Sequence, residues 1–160
     1  AASFFYKKEA SFVVAGDIDK ENPNSISEEE LNKLKGLLEI KYEGQVSYSK
    51  MQTLFNKAHI FVLPSYREGF PKVLQEAAAC GRPVITSDVP GCREAVKDGL
   101  TGFLISPKDP EALAEKIEYL LRNKDLLEKM GNEARKFAEK EFSSDKVVNK
   151  HLKIYEDLLR

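Results

Sequence analysis

At 160 residues the chain amounts to one domain, able to bury about two thirds of its unfolded surface and too short to hold a second. Its 25 Lys and Arg are scattered among 26 Asp and Glu, and a net charge of −1 leaves no electrostatic reason to expect nucleic acid or an anionic membrane as partner. Cys80 and Cys92 stand in no metal or C-x-x-C spacing and read as free buried thiols of a reducing compartment. No apolar run approaches the roughly twenty residues of a membrane span, and Ala1-Ala2-Ser3 offers no charged region before Phe4. Neither anchoring nor export is expected, so the chain is read as cytoplasmic.

In chain order, Phe4 to Ala10 reads as the end of a helix whose beginning is absent, and Ser11–Gly16 as a buried strand closed by a glycine turn. Asn22-Pro23-Asn24 is a loop. Ser27 with Glu30 forms a capping box, opening a helix with Leu31, Leu34 and Leu38 on its buried stripe. Tyr42–Gln45 is a short strand. Ser49 with Gln52 repeats the capping pattern and opens a helix through Leu54, Phe55 and Ala58, which leads into the strand Ile60–Leu63.

The next helix should start at Pro71, whose fixed φ and missing N–H suit the first helical position, and stop at Gly81 with Pro83 barring continuation. Pro83–Thr86 and Thr101–Ile105 are further strands. Strands alternating with helices, and strands that are nearly all apolar, predict an α/β fold with a parallel sheet covered on both faces. From Asp109 only helices follow: Pro110–Arg122, capped by Asp109, then Asp125–Glu141, then Ser143 to the end. The last carries Val147, Val148, Leu152, Tyr155, Leu158 and Leu159 at helical spacing, and on this pattern alone it packs on its own domain.

The chemistry concentrates at Glu68-Gly69-Phe70-Pro71-Lys72-Val73-Leu74-Gln75-Glu76, which sets two carboxylates eight residues apart where a strand gives way to a helix. At a rise of about 1.5 Å per residue, Glu76 lies roughly 7 Å along the axis from the helix start. The amides of Lys72 and Val73 present free N–H groups there, to which an anion can bind. Two carboxylates flanking such amides suit a ligand with phosphate in the middle and hydroxyls at both ends, the layout of a nucleotide sugar. Read alone, Glu76 is a surface carboxylate favoured near a helix N-terminus, and Glu68 a loop charge. His59 and His151 read as structural or exposed. Phosphate-loop, dinucleotide, zinc and Ser/His/Asp patterns are all missing, which weakens dehydrogenase, kinase and hydrolase readings.

The segment Phe61 to Gly102, with its Pro-Ser-x-x-Glu-Gly start and its Asp-Val-Pro-Gly-x-x-Glu-x-Val-x-x-Gly-x-x-Gly continuation, resembles the family 4 retaining glycosyltransferases of GT-B fold. Gly16-Asp17, Gly44 to Met51 and the C-terminal helices extend the resemblance over nearly the whole chain. Ser65 to Pro71 looks most like transferases that build capsules, O-antigens and other lipid-linked bacterial glycans. The resemblance implies a single Rossmann-like donor-binding domain over 1–160, with 143–160 its C-terminal helix, lacking its leading strand and the N-terminal acceptor domain. In such proteins the final helix crosses back onto that first domain.

By the same resemblance, Glu76 accepts hydrogen bonds from the ribose and Glu68, the catalytic position carried over, meets the transferred sugar. A carboxylate suits either task, offering two acceptor oxygens to adjacent hydroxyls. Gly69, Phe70, Pro71, Lys72 and Val73 shape the donor's approach. Val46 matches a position that lies against the nucleobase, with core packing as the alternative. Gly91, Cys92 and Glu94 resemble a second loop beside the donor, where Glu94 is more often a structural acceptor. Arg67 and Arg82 are near enough in sequence to touch a diphosphate. Asp17-Ile18-Asp19 spells a metal motif of a different glycosyltransferase fold, but here reads as turn residues, with no metal and no cofactor expected.

The implied reaction moves a sugar from a nucleoside diphosphate, by family frequency uridine, to an acceptor hydroxyl with retention. The acceptor is read as a lipid-linked glycan, and the intact enzyme as cytoplasmic or peripheral to the inner membrane face. The fragment alone should not turn over. The alternatives are a non-catalytic nucleotide-sugar-binding module and a nucleotide-sugar epimerase of similar shape, which would need acid/base carboxylates and histidines that the sequence does not display.

Overall fold

The computed structural model describes residues 10–18, 25–37 and 40–159. The expected helix end at 4–9, the loop at 22–24, Asp19, Leu38 and the side chain of Leu34 lie outside them. The chain divides into two compact units, 1–51 and 52–160.

In the first unit, β1 (Phe12–Ala15) pairs in parallel with β2 (Ile40–Gly44), Phe12 opposite Ile40 and Val14 opposite Tyr42, with an irregularity before Ala15. Parallel neighbours need a crossover, and α1 (Glu28–Leu37) lies between them in sequence. It starts as the capping pattern predicts: the Ser27 N–H and hydroxyl reach the Glu30 carboxylate at 2.8 and 3.0 Å, and the Glu30 N–H donates to the Ser27 hydroxyl at 3.1 Å. Leu31 is buried. β1 differs from the buried strand expected, since Val13 is 51% and Val14 40% exposed. Among the described residues it pairs on one side only, with β2.

The helix α2 (Tyr48–Lys57) starts just before the predicted Ser49, which lies inside the first turn instead of capping it. The Lys50 N–H bonds the Ser47 carbonyl at 2.9 Å, so the chain is already turning at Ser47.

The second unit is built on a parallel sheet of order β3-β4-β5, comprising β3 (Phe61–Leu63), β4 (Val84–Ser87) and β5 (Gly102–Ile105). Val62 lies opposite Ile85, and Ile85 opposite Phe103. β4, the middle strand, is wholly buried. Between strands run α3 (Lys72–Ala79) and α4 (Pro90–Ala95); α5 (Pro110–Arg122), α6 (Lys124–Glu141) and α7 (Ser144–Leu158) follow. The architecture is α/β, parallel strands flanked by helices with a helical C-terminal tail. α3 ends as expected, Gly81 adopting φ +69 with its N–H on the Ala78 carbonyl at 2.8 Å. Asp109 caps α5 by accepting from the Ala112 N–H at 2.9 Å, with Pro110 first in the helix.

The apolar faces of these helices close the core. Leu74, Ile85 and Leu120 have no exposed surface, and Ala78 of α3 packs with Ala134 and Ala138 of α6. Small residues at this crossing let α3 and α6 approach closely, which fixes the helix that carries Glu76. α7 departs from the expectation that it packs on its own domain: it buries none of its residues, and Leu158 and Leu159 are 78% and 87% exposed. Its first turn is tied by the Ser143 cap and the Lys146–Glu141 pair, while the apolar side beyond points to solvent. Among the described residues no helix is long and apolar enough to cross a membrane.

Truncating the fully buried Leu74 removes its contacts and leaves a cavity beneath α3. Leu74→Ala is expected to lower stability by about 2–5 kcal/mol, read as a lower urea midpoint with an unchanged slope.

Candidate functional site

In a parallel sheet all strands point the same way, so Leu63 and Ser87 end β3 and β4 at one edge, where the loops to α3 and α4 depart. Ligands of open α/β sheets bind at that carboxyl edge. The Thr86 hydroxyl donates to the Leu63 carbonyl at 2.7 Å, fixing the end of β3 to β4 at the base of the loop. Glu68 lies on this loop and Glu76 in the second turn of α3, both half-buried.

Between them is the open end of α3. Pro71 has φ −68 and ψ 115, so it stands at the N-cap and not at the first helical position as predicted, and its own side chain makes no capping hydrogen bond. The fixed φ of proline serves either position; extended ψ sets it outside the helix. The first turn begins with the Leu74 N–H bonded to the Pro71 carbonyl at 3.2 Å, so the amides of Lys72 and Val73 precede the helical ladder. Lys72 and Gly69 are exposed, Val73 and Pro71 half-buried. An anion placed here would meet main-chain N–H groups and the positive end of the helix.

Phe70 is held from the side. Its ring stands edge-on to Phe142 at 5.7 Å, and Phe142 stands edge-on to Phe137 at 5.2 Å. Phe142 ends α6, so the loop bearing Glu68 leans on the corner where the chain enters α7. The sequence reading missed Phe137 and Phe142; their signal was an aromatic pair closing the apolar face of α6. A groove of about 540 Å³ opens beside them, lined among others by Phe70, Gln75, Glu94, Lys97 and Lys150, and neither Glu68 nor Glu76 lines it. Glu94 is thus an exposed groove residue.

α4 underlies the loop. Cys92 is fully buried and free; burial pushes its thiol up, opposed by the neighbouring Thr86 hydroxyl and reinforced by the charge of Glu68. Cys80, half-buried and free, is raised chiefly by burial as well. Asp88 and Arg93 pair across the start of α4, and the hydrogen bond from Arg93 holds the Asp88 carboxyl below its usual range.

Other candidates fall elsewhere. Arg82 is not at the start of α3: its guanidinium donates to the Cys80 carbonyl at 3.0 Å and to the Ala58 carbonyl at 2.9 Å, before β4 and at the opposite edge of the sheet. Eight helical residues separate the two edges, so closeness in sequence does not become closeness to the start of α3. Arg67 is exposed on the loop, and Val46 is half-buried after β2 in the first unit. Asp17 accepts from the adjacent Ile18 N–H at 2.8 Å, as a turn residue does. Among the described residues no group of three His, Cys, Asp or Glu could hold a metal ion. His59 is exposed, and the exposed His151 ring meets the Val147 carbonyl at 2.8 Å.

Comparison with known proteins gives this geometry a context. Residues 4–137 match the family described as glycosyl transferases group 1. Over 158 residues the chain is 34% identical to N,N'-diacetylbacillosaminyl-diphospho-undecaprenol alpha-1,3-N-acetylgalactosaminyltransferase of Campylobacter jejuni, covering 96% of this chain and 39% of that protein. The structure of a glycosyltransferase from Rickettsia africae matches with a TM-score of 0.81 at 27% identity, over 99% of this chain and 43% of the other. Anabaena HepE, solved in complex with UDP-glucose, matches in fold with a TM-score of 0.77 at 24% identity, over 91% and 40%. The chain therefore spans 39% of the length of that curated relative.

The buried thiols give a pH dependence. Burial favours their protonated form, so this contribution to stability is fully present below the ordinary thiol range and is lost as the pH rises through the raised folded values. Stability from urea titrations should fall on that alkaline side, less steeply in Cys92→Ala, and a thiol reagent should label Cys92 only when the chain unfolds.

Proposed function

Because the chain belongs to the glycosyl transferases group 1 family, we propose that it is the nucleotide-sugar-binding part of a GT-B enzyme that transfers a sugar from a nucleoside diphosphate to an acceptor hydroxyl. The observation that carries this reading is the pair of half-buried carboxylates, Glu68 and Glu76, on either side of an uncapped helix start at the carboxyl edge of a parallel sheet.

In this reading the diphosphate rests on the amides of Lys72 and Val73. Glu76 accepts from the ribose hydroxyls, and Glu68 from hydroxyls of the sugar to be transferred. Gly69, Phe70 and Pro71 shape the approach. The nucleoside is uridine, a choice supported by the UDP-glucose bound to the HepE neighbour. No metal or cofactor takes part; the nucleotide sugar is a substrate. Transfer retains the anomeric configuration: the bond from the anomeric carbon to the phosphate oxygen breaks, the acceptor oxygen bonds the same face, and its proton passes to the departing phosphate.

The acceptor comes from lipid-linked glycan synthesis, as the name of the Campylobacter jejuni relative suggests. Its binding domain is the part of such relatives that this chain does not span. The solvent-facing apolar side of α7, Val147, Val148, Leu152 and Tyr155 among it, is the surface that this domain would cover. Free thiols support a cytoplasmic enzyme, working at the inner membrane face where a lipid-linked acceptor would be met.

Titrating the chain with UDP, GDP and ADP while recording amide NMR spectra tests the assignment. UDP should give saturable shifts centred on the first turn of α3, and Glu76→Ala should weaken binding about tenfold or more, as loss of a charge-assisted hydrogen bond does. No response to any of the three nucleotides would sink the reading. In a radiolabel-transfer assay with UDP-sugars and an undecaprenyl-diphosphate-linked acceptor, the chain alone should transfer nothing; clear product would refute its dependence on an acceptor domain.

A further inference from the structure

Gly91 is the second residue of α4 and is buried. A Cβ built on it would lie 1.9 Å from the Gly69 carbonyl oxygen, 2.4 Å from the Gly69 carbonyl carbon and 2.8 Å from the Glu68 carbonyl oxygen. All three are main-chain atoms, so no side chain can swing aside to make room. The backbone that carries Glu68 therefore rests directly on the backbone of α4, in space that only a glycine leaves free.

The two sides of this contact are not equally firm. α4 is tied down: the Asp88 N–H bonds the Ile105 carbonyl at 2.7 Å, the Cys92 and Arg93 N–H groups bond the Val89 carbonyl at 3.0 and 3.1 Å, and Cys92 and Ala95 are buried. On the other side, Gly69 and Phe70 are exposed. An atom added at Gly91 would displace the loop, and the loop carries Glu68. Glu76 rides on α3, which Ala78 and Leu74 seat in the core.

We propose that Gly91 is a positioning residue for Glu68: the clearance at its α-carbon sets how far the Glu68–Gly69 backbone sinks toward α4, and so where the Glu68 carboxylate meets the transferred sugar. It touches no ligand itself. Selectivity for the sugar then depends on Gly91, whereas hold on the nucleoside diphosphate does not. The sugar half rests on the function proposed above; the placement of the loop does not.

Gly91→Ala in the 160-residue chain separates the two. Amide spectra without ligand should show residues 67–70 moved and residues 74–79 in place. Titrations should leave the UDP affinity within about twofold, while the ratio of the UDP-glucose Kd to the UDP Kd rises about tenfold, the scale of one hydrogen bond to a charged group. Repeated on Glu68→Ala, the added Gly91→Ala should no longer change that ratio, because its effect acts through Glu68. Equal weakening of UDP and UDP-glucose, an unmoved loop, or a variant that loses its dispersed spectrum would each overturn the positioning role. If the unaltered chain binds neither probe, the donor-binding function fails, and the ligand-free spectra still decide whether Gly91 places the loop.

Discussion

Two parallel strands cannot be joined by a tight turn, because the chain must return to the same end of the sheet before it can pair again. The pairing of β3 with β4, Phe61 opposite Val84 and Leu63 opposite Thr86, imposes that return through α3 and gathers the loops after both strands at one edge. Everything assigned to the site follows from this. Glu68 lies on the first loop, the amides of Lys72 and Val73 at the start of the returning helix, Glu76 one turn further, and Gly91, in the helix that follows β4, against the Glu68–Gly69 backbone. The sheet provides no chemistry itself; it brings two stretches of sequence more than twenty residues apart into main-chain contact.

Local signals in the sequence located most elements. Ser27 toward Glu30, and Asp109 toward Ala112, each satisfy a first-turn amide with a side chain three residues away, so the pattern and the bond are the same statement. Gly81 ends α3 for an equally local reason, its left-handed φ. Expectations failed where the deciding partner was distant. Val13 and Val14 look like core in an apolar run, yet among the described residues nothing covers them and both are exposed. Arg82 is close to Glu76 along the chain, but a helix carries it to the other edge of the sheet, where carbonyls of Cys80 and Ala58 occupy it. The placement of Pro71 one residue outside α3 turned on ψ, which the loop sets and the sequence does not display.

The site shows the same division. The two carboxylates, the loop and the helix start between them were legible, because their spacing is a property of one continuous segment. The supports of that segment were not: Phe142 holds Phe70 from about seventy residues later in the chain, and the contact of Gly69 with Gly91 depends on the one methyl group that Gly91 lacks. α7 illustrates a further limit. Helical spacing in its sequence announces an apolar face without saying what covers it, and the structure leaves that face in solvent. A loop that leans on the corner leading into α7 has a physical route by which cover on that helix could reach the Glu68 loop, through Phe142 and Phe70.

A crystal structure of the chain grown with UDP-glucose tests the site most directly. The expected density places the diphosphate on the amides of Lys72 and Val73, the ribose hydroxyls against the Glu76 carboxylate and the glucose hydroxyls against Glu68. Nucleotide density in the groove beside Phe142, with the first turn of α3 empty, would contradict it.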